Sequence, residues 1–121
     1  MAGAIFNLKA RDTRPILEVV LRNPDGSVHD LTGSTSWKLH LRTPTSATVI
    51  TRDMVKEGLD TAGTLRYTWL STDWNTGILP QPTSPYDSEE LYMEYEVIAG
   101  TSRMTFPNDG HDLLKIRGDL A

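Results

Sequence analysis

The stretch from Leu91 to Pro107, LYMEYEVIAGTSRMTFP, decides the fold. Leu91, Met93, Tyr95 and Val97 alternate with Tyr92, Glu94, Glu96 and Ile98. That is the period of a strand with one buried face. Ala99-Gly100 supplies a turn, and Thr101 to Phe106 alternates again. An even-numbered loop with Ile98 opposite Thr101 sets Tyr95 against Met104, Met93 against Phe106 and Glu96 against Arg103. Apolar residues then meet on one face and opposite charges on the other. An odd loop would expose half the apolar set, because a one-residue slip flips every side chain.

Working outward, other segments show the same period. Trp37, Leu39 and Leu41 oppose Lys38, His40 and Arg42 within Ser34 to Thr43, the pattern of a central strand. Leu65, Tyr67 and Trp69 oppose Thr64, Arg66 and Thr68. Ile16 to Arg22 places Leu17, Val19 and Leu21 on one face, after a proline suited to a strand's first position. Ala4 to Leu8, Ser27 to Leu31, Thr48 to Val55 and Leu113 to Arg117 complete the set of expected strands. Asn23-Pro24-Asp25-Gly26 and Pro107-Asn108-Asp109-Gly110 are turns by their chemistry. Ser71 to Asn75 fits one helical turn capped by Ser71 or Thr72. Lys56 to Ala62 reads as a polar connection. No amphipathic helix of ten residues is present. The expectation is an all-β, immunoglobulin-like antiparallel β-sandwich of about seven or eight strands.

A length of 121 residues suits one domain, 1–121, with a short N-terminal arm (1–4) and a long proline-rich loop (78–90). The formal net charge of -4 and dispersed basic residues exclude the basic stripe of a nucleic-acid binder. With no cysteine there is no disulfide framework, thiolate metal site or cysteine nucleophile. No apolar run is long enough for a membrane helix, and the N-terminus lacks a signal-peptide core. Synthesis and folding in a cytoplasm is the expectation.

The chemistry-bearing residues do not cluster in sequence. His29, His40 and His111 show no metal-ligand spacing, and none of the acid groups has an EF-hand pattern, so no metal is expected. There is no G-x-S-x-G and no Gly-rich phosphate loop, so neither an enzyme nor a cofactor is expected. Glu94 and Glu96 share one strand face, not two sides of a cleft, and Arg103 is a sufficient partner for Glu96. Trp37 and Trp69 lie on inward faces. Trp74, in a polar turn, could cap the sandwich or touch a partner. With Tyr86 it could stack on a sugar ring. The segment holding Leu79, Pro80, Pro82, Pro85 and Tyr86 is the expected partner contact, since proline lowers the entropy lost on ordering a loop.

The order of several motifs resembles one known family. Phe6-Asn7-Leu8-Lys9, Asp12-Thr13, Pro15, Asp25-Gly26 and Asp30-Leu31-Thr32-Gly33 resemble the start of the N-terminal domain of phage baseplate upper proteins. So do Gly63 to Trp69, Asp73, Gly77, the strand LYMEYEV, Thr105-Phe106-Pro107 and Leu114-Lys115-Ile116. Arg11 stands where the family has a glycine, the loop 78–90 is longer than the pattern, and the chain stops where the family runs on into a helical linker. The resemblance implies an immunoglobulin-like sandwich and a structural role in a tailed-phage virion, with no catalytic residues to carry over. The expected partners are other virion proteins and further copies of the chain, in a ring or lattice of the tail, baseplate or neck. A capsid decoration protein and a host-attachment module that binds carbohydrate are the alternatives.

Overall fold

The structure, a computed structural model, describes residues 4–45, 48–74, 79–82, 84, 86–107 and 110–118. Two sheets pack face to face as a β-sandwich. The described strands are β1 (Ile5–Lys9), β2 (Leu17–Val20), β3 (Ser36–Arg42), β4 (Ile50–Asp53), β5 (Val55–Glu57), β6 (Thr64–Tyr67), β7 (Ser88–Ala99), β8 (Ser102–Phe106) and β9 (Asp112–Arg117). The larger sheet runs β1-β9-β7-β3-β4, with β8 also paired to β7; the smaller runs β2-β6-β5. All pairings are antiparallel except β1 with β9, a departure from a purely antiparallel sandwich.

The long strand β7 organises the larger sheet. β3 covers one of its edges through seven paired residues. Its other edge is shared by β9, along Ser88–Met93, and β8, along Tyr95–Ala99. Pro107 falls between β8 and β9, where its missing N–H does no harm to either ladder. The alternation is obeyed: Leu91, Met93, Tyr95 and Val97 are buried, as are Leu39 and Leu41 on β3, Leu114 and Ile116 on β9, and Leu65 and Tyr67 on β6. Each such aliphatic or aromatic side chain contributes about 1.5–3 kcal/mol by leaving water.

The register of the β7–β8 hairpin differs from the expected one by two residues. Tyr95 pairs with Phe106, Val97 with Met104 and Ile98 with Arg103, whereas Tyr95 was expected opposite Met104 and Met93 opposite Phe106. The turn is Gly100-Thr101, not Ala99-Gly100, and Gly100 has φ 62°. A two-residue hairpin matching the strand twist needs positive φ at its first central position. The expected turn would have put Ala99 there, while the observed one puts glycine. Because the slip is even, every side chain keeps its face.

Elsewhere the boundaries move for local reasons. The strand expected over Thr48 to Val55 is split by Met54, which is buried and whose N–H bonds the Trp37 carbonyl. Lys56 and Glu57, expected in a connection, belong to β5. Ser27 to Leu31 yields only a bridge, Arg22 to Val28. The Asn23–Gly26 turn is as expected: the Gly26 N–H bonds the Asn23 carbonyl at 2.9 Å. Arg11, at the glycine position of the resembled family, has φ 70° and is the one non-glycine residue with positive φ among the described residues. No described helix is long and apolar enough to cross a membrane.

Candidate functional site

The helical turn expected at Ser71–Asn75 is a 3₁₀ turn, Ser71–Trp74. Neither Ser71 nor Thr72 caps it. Instead the Asp73 carboxylate reaches back and accepts the Leu70 N–H at 2.9 Å, a capping-box arrangement made by an aspartate. The same carboxylate accepts the Tyr67 hydroxyl at 2.7 Å and Arg52 Nε at 2.8 Å. Asp73 is 1% exposed, and Arg52 belongs to β4 of the opposite sheet, so this acid ties the two layers together. Burial, followed by the bond to Asp73, pushes the Tyr67 hydroxyl well above its ordinary pKa. The bond to Asp73 raises that of Arg52.

A second buried tyrosine–aspartate pair lies within the larger sheet, between β7 and β9. The Tyr95 hydroxyl donates to Asp112 Oδ2 at 2.8 Å, and Asp112 Oδ1 accepts the Ala4 N–H at 3.0 Å. Burial first, then the Asp112 charge, raises the Tyr95 pKa. Both acids have their lone pairs engaged by donors, which is the structural way to hold a carboxylate inside a core.

The outer face of the larger sheet carries a charged ladder. His40 Nε2 lies 3.0 Å from Glu96 Oε1, and Arg103 Nε lies 3.1 Å from Glu96 Oε2. The expected Glu96–Arg103 contact thus forms diagonally across the strands. His40 Nδ1 is also 3.1 Å from Thr51 Oγ1. His29 bonds Asn23 and packs on Phe106, and His111 stacks on Tyr92 with ring centroids 3.7 Å apart. Among the described residues no three His, Asp or Glu side chains converge as a metal site would require.

The proline-rich segment divides into an anchored part and a projecting part. Trp74 and Leu79 are buried, the first donating its indole N–H to the Asp12 carbonyl at 2.9 Å and the second its backbone N–H to the Asp73 carbonyl at 3.1 Å. Gln81 Nε2 bonds the Trp74 carbonyl. Pro80 and Pro82 are half-buried, and Pro85 lies outside the described residues. Tyr86, at 95% exposure, projects fully. It sits just before Asp87, whose carbonyl accepts the Gly118 N–H. Trp74 therefore caps the sandwich, and a sugar platform built from Trp74 with Tyr86 does not form. Exposed apolar side chains also mark strand ends and edges: Ile5 on β1, Val20 on β2, Val55 on β5, and Leu59 and Leu70 in connections.

No protein-family model matches this chain, and no curated protein is similar to it in sequence. One similar solved structure is the N-terminal domain of phage TP901-1 ORF48. The similarity spans 97% of this chain and 85% of that one, at 14% identity and a TM-score of 0.47.

The buried acid pairs carry no signal in the local sequence. Asp73 lies in Ser-Thr-Asp-Trp, an ordinary capping pattern, and its partner Arg52 is twenty-one residues away. The place of β2 at the end of the smaller sheet could have been suspected from Leu17–Val20, a short apolar strand framed by Pro15 and the Asn-Pro-Asp-Gly turn.

Proposed function

We propose that the chain is a non-catalytic assembly module of a tailed-phage virion, a sandwich that docks other virion proteins through its edges and loops. The observation that carries this reading is where the apolar surface lies. Apolar side chains fill the core, yet Ile5, Val20, Val55 and Tyr86 remain 60%, 42%, 55% and 95% exposed on outer strands and at a loop rim. Outer strands offer unpaired backbone groups, and apolar side chains beside them favour pairing with another chain over solvent. The motif order from Phe6 to Ile116 supports the phage assignment, and the tail, baseplate or neck is its place in the virion.

Tyr86 is the partner anchor of the loop in this reading. Its ring is rigid and large, and it is held beside an anchored backbone, so ordering it on a partner costs little entropy. The test is incorporation. Virions of the phage encoding the chain are assembled with Tyr86→Ala or with residues 80–86 deleted, and the purified particles are quantified for the protein. Reduced incorporation of a folded variant supports the reading. Wild-type levels for both variants remove the loop, and absence of the wild-type chain from purified particles removes the virion role.

A further inference from the structure

The edge of the smaller sheet formed by β2 leaves the core partly uncovered. Leu17, Val19 and Leu21 all face inward, and the first and last are 2% exposed, yet Val19 between them is only half-buried. A groove of about 360 Å³ runs along residues 18–22, with Ala4, Tyr95, Phe106 and Pro107 on its far wall. Side chains alternate across a sheet, so a groove touching five consecutive residues follows the backbone edge of the strand, not one of its faces.

Among the described residues, that edge keeps backbone groups without a pairing partner. The Leu21 N–H bonds the Gly63 carbonyl at 2.8 Å, so Leu21 makes its bonds toward β6. By the alternation of an antiparallel ladder, Val19 and Leu17 do the same, and Glu18 and Val20 aim their N–H and C=O groups away from β6. Among the described residues nothing pairs with those groups.

The side chains along the edge select its partner. On the outer face of β2, Glu18, Val20 and Arg22 follow one another two residues apart, all exposed, with Arg22 also donating from Nη1 to the Gly26 carbonyl at 3.2 Å. If a second copy lays its own β2 antiparallel with Val20 opposite Val20, then Glu18 falls opposite the partner's Arg22, and Arg22 opposite the partner's Glu18. The strand is self-complementary about a two-fold axis through Val20, as an isologous interface requires. Like charges never meet in this register, and the backbone groups of Val20 are those that exchange hydrogen bonds at the axis.

We propose that β2 is a dimerisation edge, at which two copies of this chain join their three-stranded sheets into one continuous six-stranded sheet. The added strand also covers Val19 and the groove beneath it. The proposal deepens the assembly reading and rests on it.

Charge reversal tests it. The full-length chain is followed by sedimentation equilibrium from micromolar to millimolar concentration, alone and as Glu18→Arg, Arg22→Glu and their equimolar mixture. Glu18→Arg places two arginines opposite each other at both ends of the dimer strand pair, and Arg22→Glu places two glutamates. Each alone should dimerise roughly tenfold or more weakly than wild type. Mixed, the two variants form only opposite-charge pairs, so the affinity should return. Val20→Lys sets two lysines on the axis and should lose the dimer with no rescue by either partner. A wild-type chain that stays monomeric, a dimer indifferent to the reversals, or a mixture without rescue overturns the proposal. So does an edge filled only by an extended segment of another protein. A monomeric chain that still enters virions would sink the dimer and spare the assembly reading.

Discussion

Asp73→Ala is the perturbation that most directly probes how the two sheets are held together. The wild-type carboxylate receives three donors: the Tyr67 hydroxyl at 2.7 Å, the Leu70 N–H at 2.9 Å and Arg52 Nε at 2.8 Å. Truncation strands the Tyr67 hydroxyl in a site where the residue is 6% exposed, at a cost of about 1–3 kcal/mol. The Leu70 N–H belongs to a half-exposed residue that water can reach, so its loss is about 0.5–1 kcal/mol. Arg52 is 28% exposed at its side chain and can swing to solvent, leaving about 1 kcal/mol for the lost charged bond. The total is about 2.5–5 kcal/mol, a large share of the roughly 5–15 kcal/mol that holds a domain of this size. Tyr67→Phe removes one donor and leaves the carboxylate two, so about 1–2 kcal/mol is expected. In the double variant no hydroxyl remains to be stranded, and its cost falls short of the sum by about 1–2 kcal/mol. Urea unfolding with a constant slope measures all three. A loss below about 1 kcal/mol for Asp73→Ala would refute the account, as would additivity within about 0.5 kcal/mol in the double variant.

Stability should fall as the solution becomes strongly alkaline. The folded-state pKa of Tyr67 and of Tyr95 is raised above the unfolded value near 10, so the folded protein holds two protons that the unfolded chain releases. Their stabilisation is complete below that unfolded value and declines above it by up to about 2.7 kcal/mol per pH unit, which urea midpoints at rising pH would show, halved in Tyr95→Phe. Gly63→Ala should cost about 2–4 kcal/mol: φ is 60°, and a Cβ there would lie 2.6 Å from the His29 carbonyl oxygen, a backbone atom that cannot give way. An unfolding midpoint unchanged by that substitution would contradict the close approach. Arg11→Gly should stabilise by about 0.5–1 kcal/mol, because φ 70° strains any side chain, and a measured loss would show that Arg11 contacts outweigh the strain.

The hairpin shows how far alternation reaches. The sequence of β7 states which residues go inward, and it does so because burial of one sheet face imposes a period of two. It leaves any even slip undecided, because a slip of two residues preserves every face. The difference between Tyr95 opposite Met104 and Tyr95 opposite Phe106 lies in one backbone angle, at Gly100. The register therefore needs the turn geometry, where glycine must take the first central place. Trp74 teaches the converse. Its neighbours are polar and suggest a surface turn, yet it is buried because the Asp12 carbonyl, sixty-two residues away, accepts its indole N–H. No local pattern encodes such a partner. The same holds for Asp73, whose burial is made tolerable by an arginine from the other sheet.

These long-range ties bear on where the molecule can act. Asp73 with Arg52 links the two sheets, whereas Asp112 with Tyr95 and the Ala4 N–H ties neighbouring strands within the larger sheet. Asp73 accepts three donors and Asp112 two, although Asp112 also lines the groove beside β2. The outer ladder of His40, Glu96 and Arg103 is likewise internally paired. Among the described residues, the backbone at the β2 edge and the ring of Tyr86 are left without a partner. Backbone edges recognise other strands, and an exposed aromatic recognises a complementary surface. In the assembly proposed above, the β2 edge and the Tyr86 ring are the parts of the sandwich that other chains would hold.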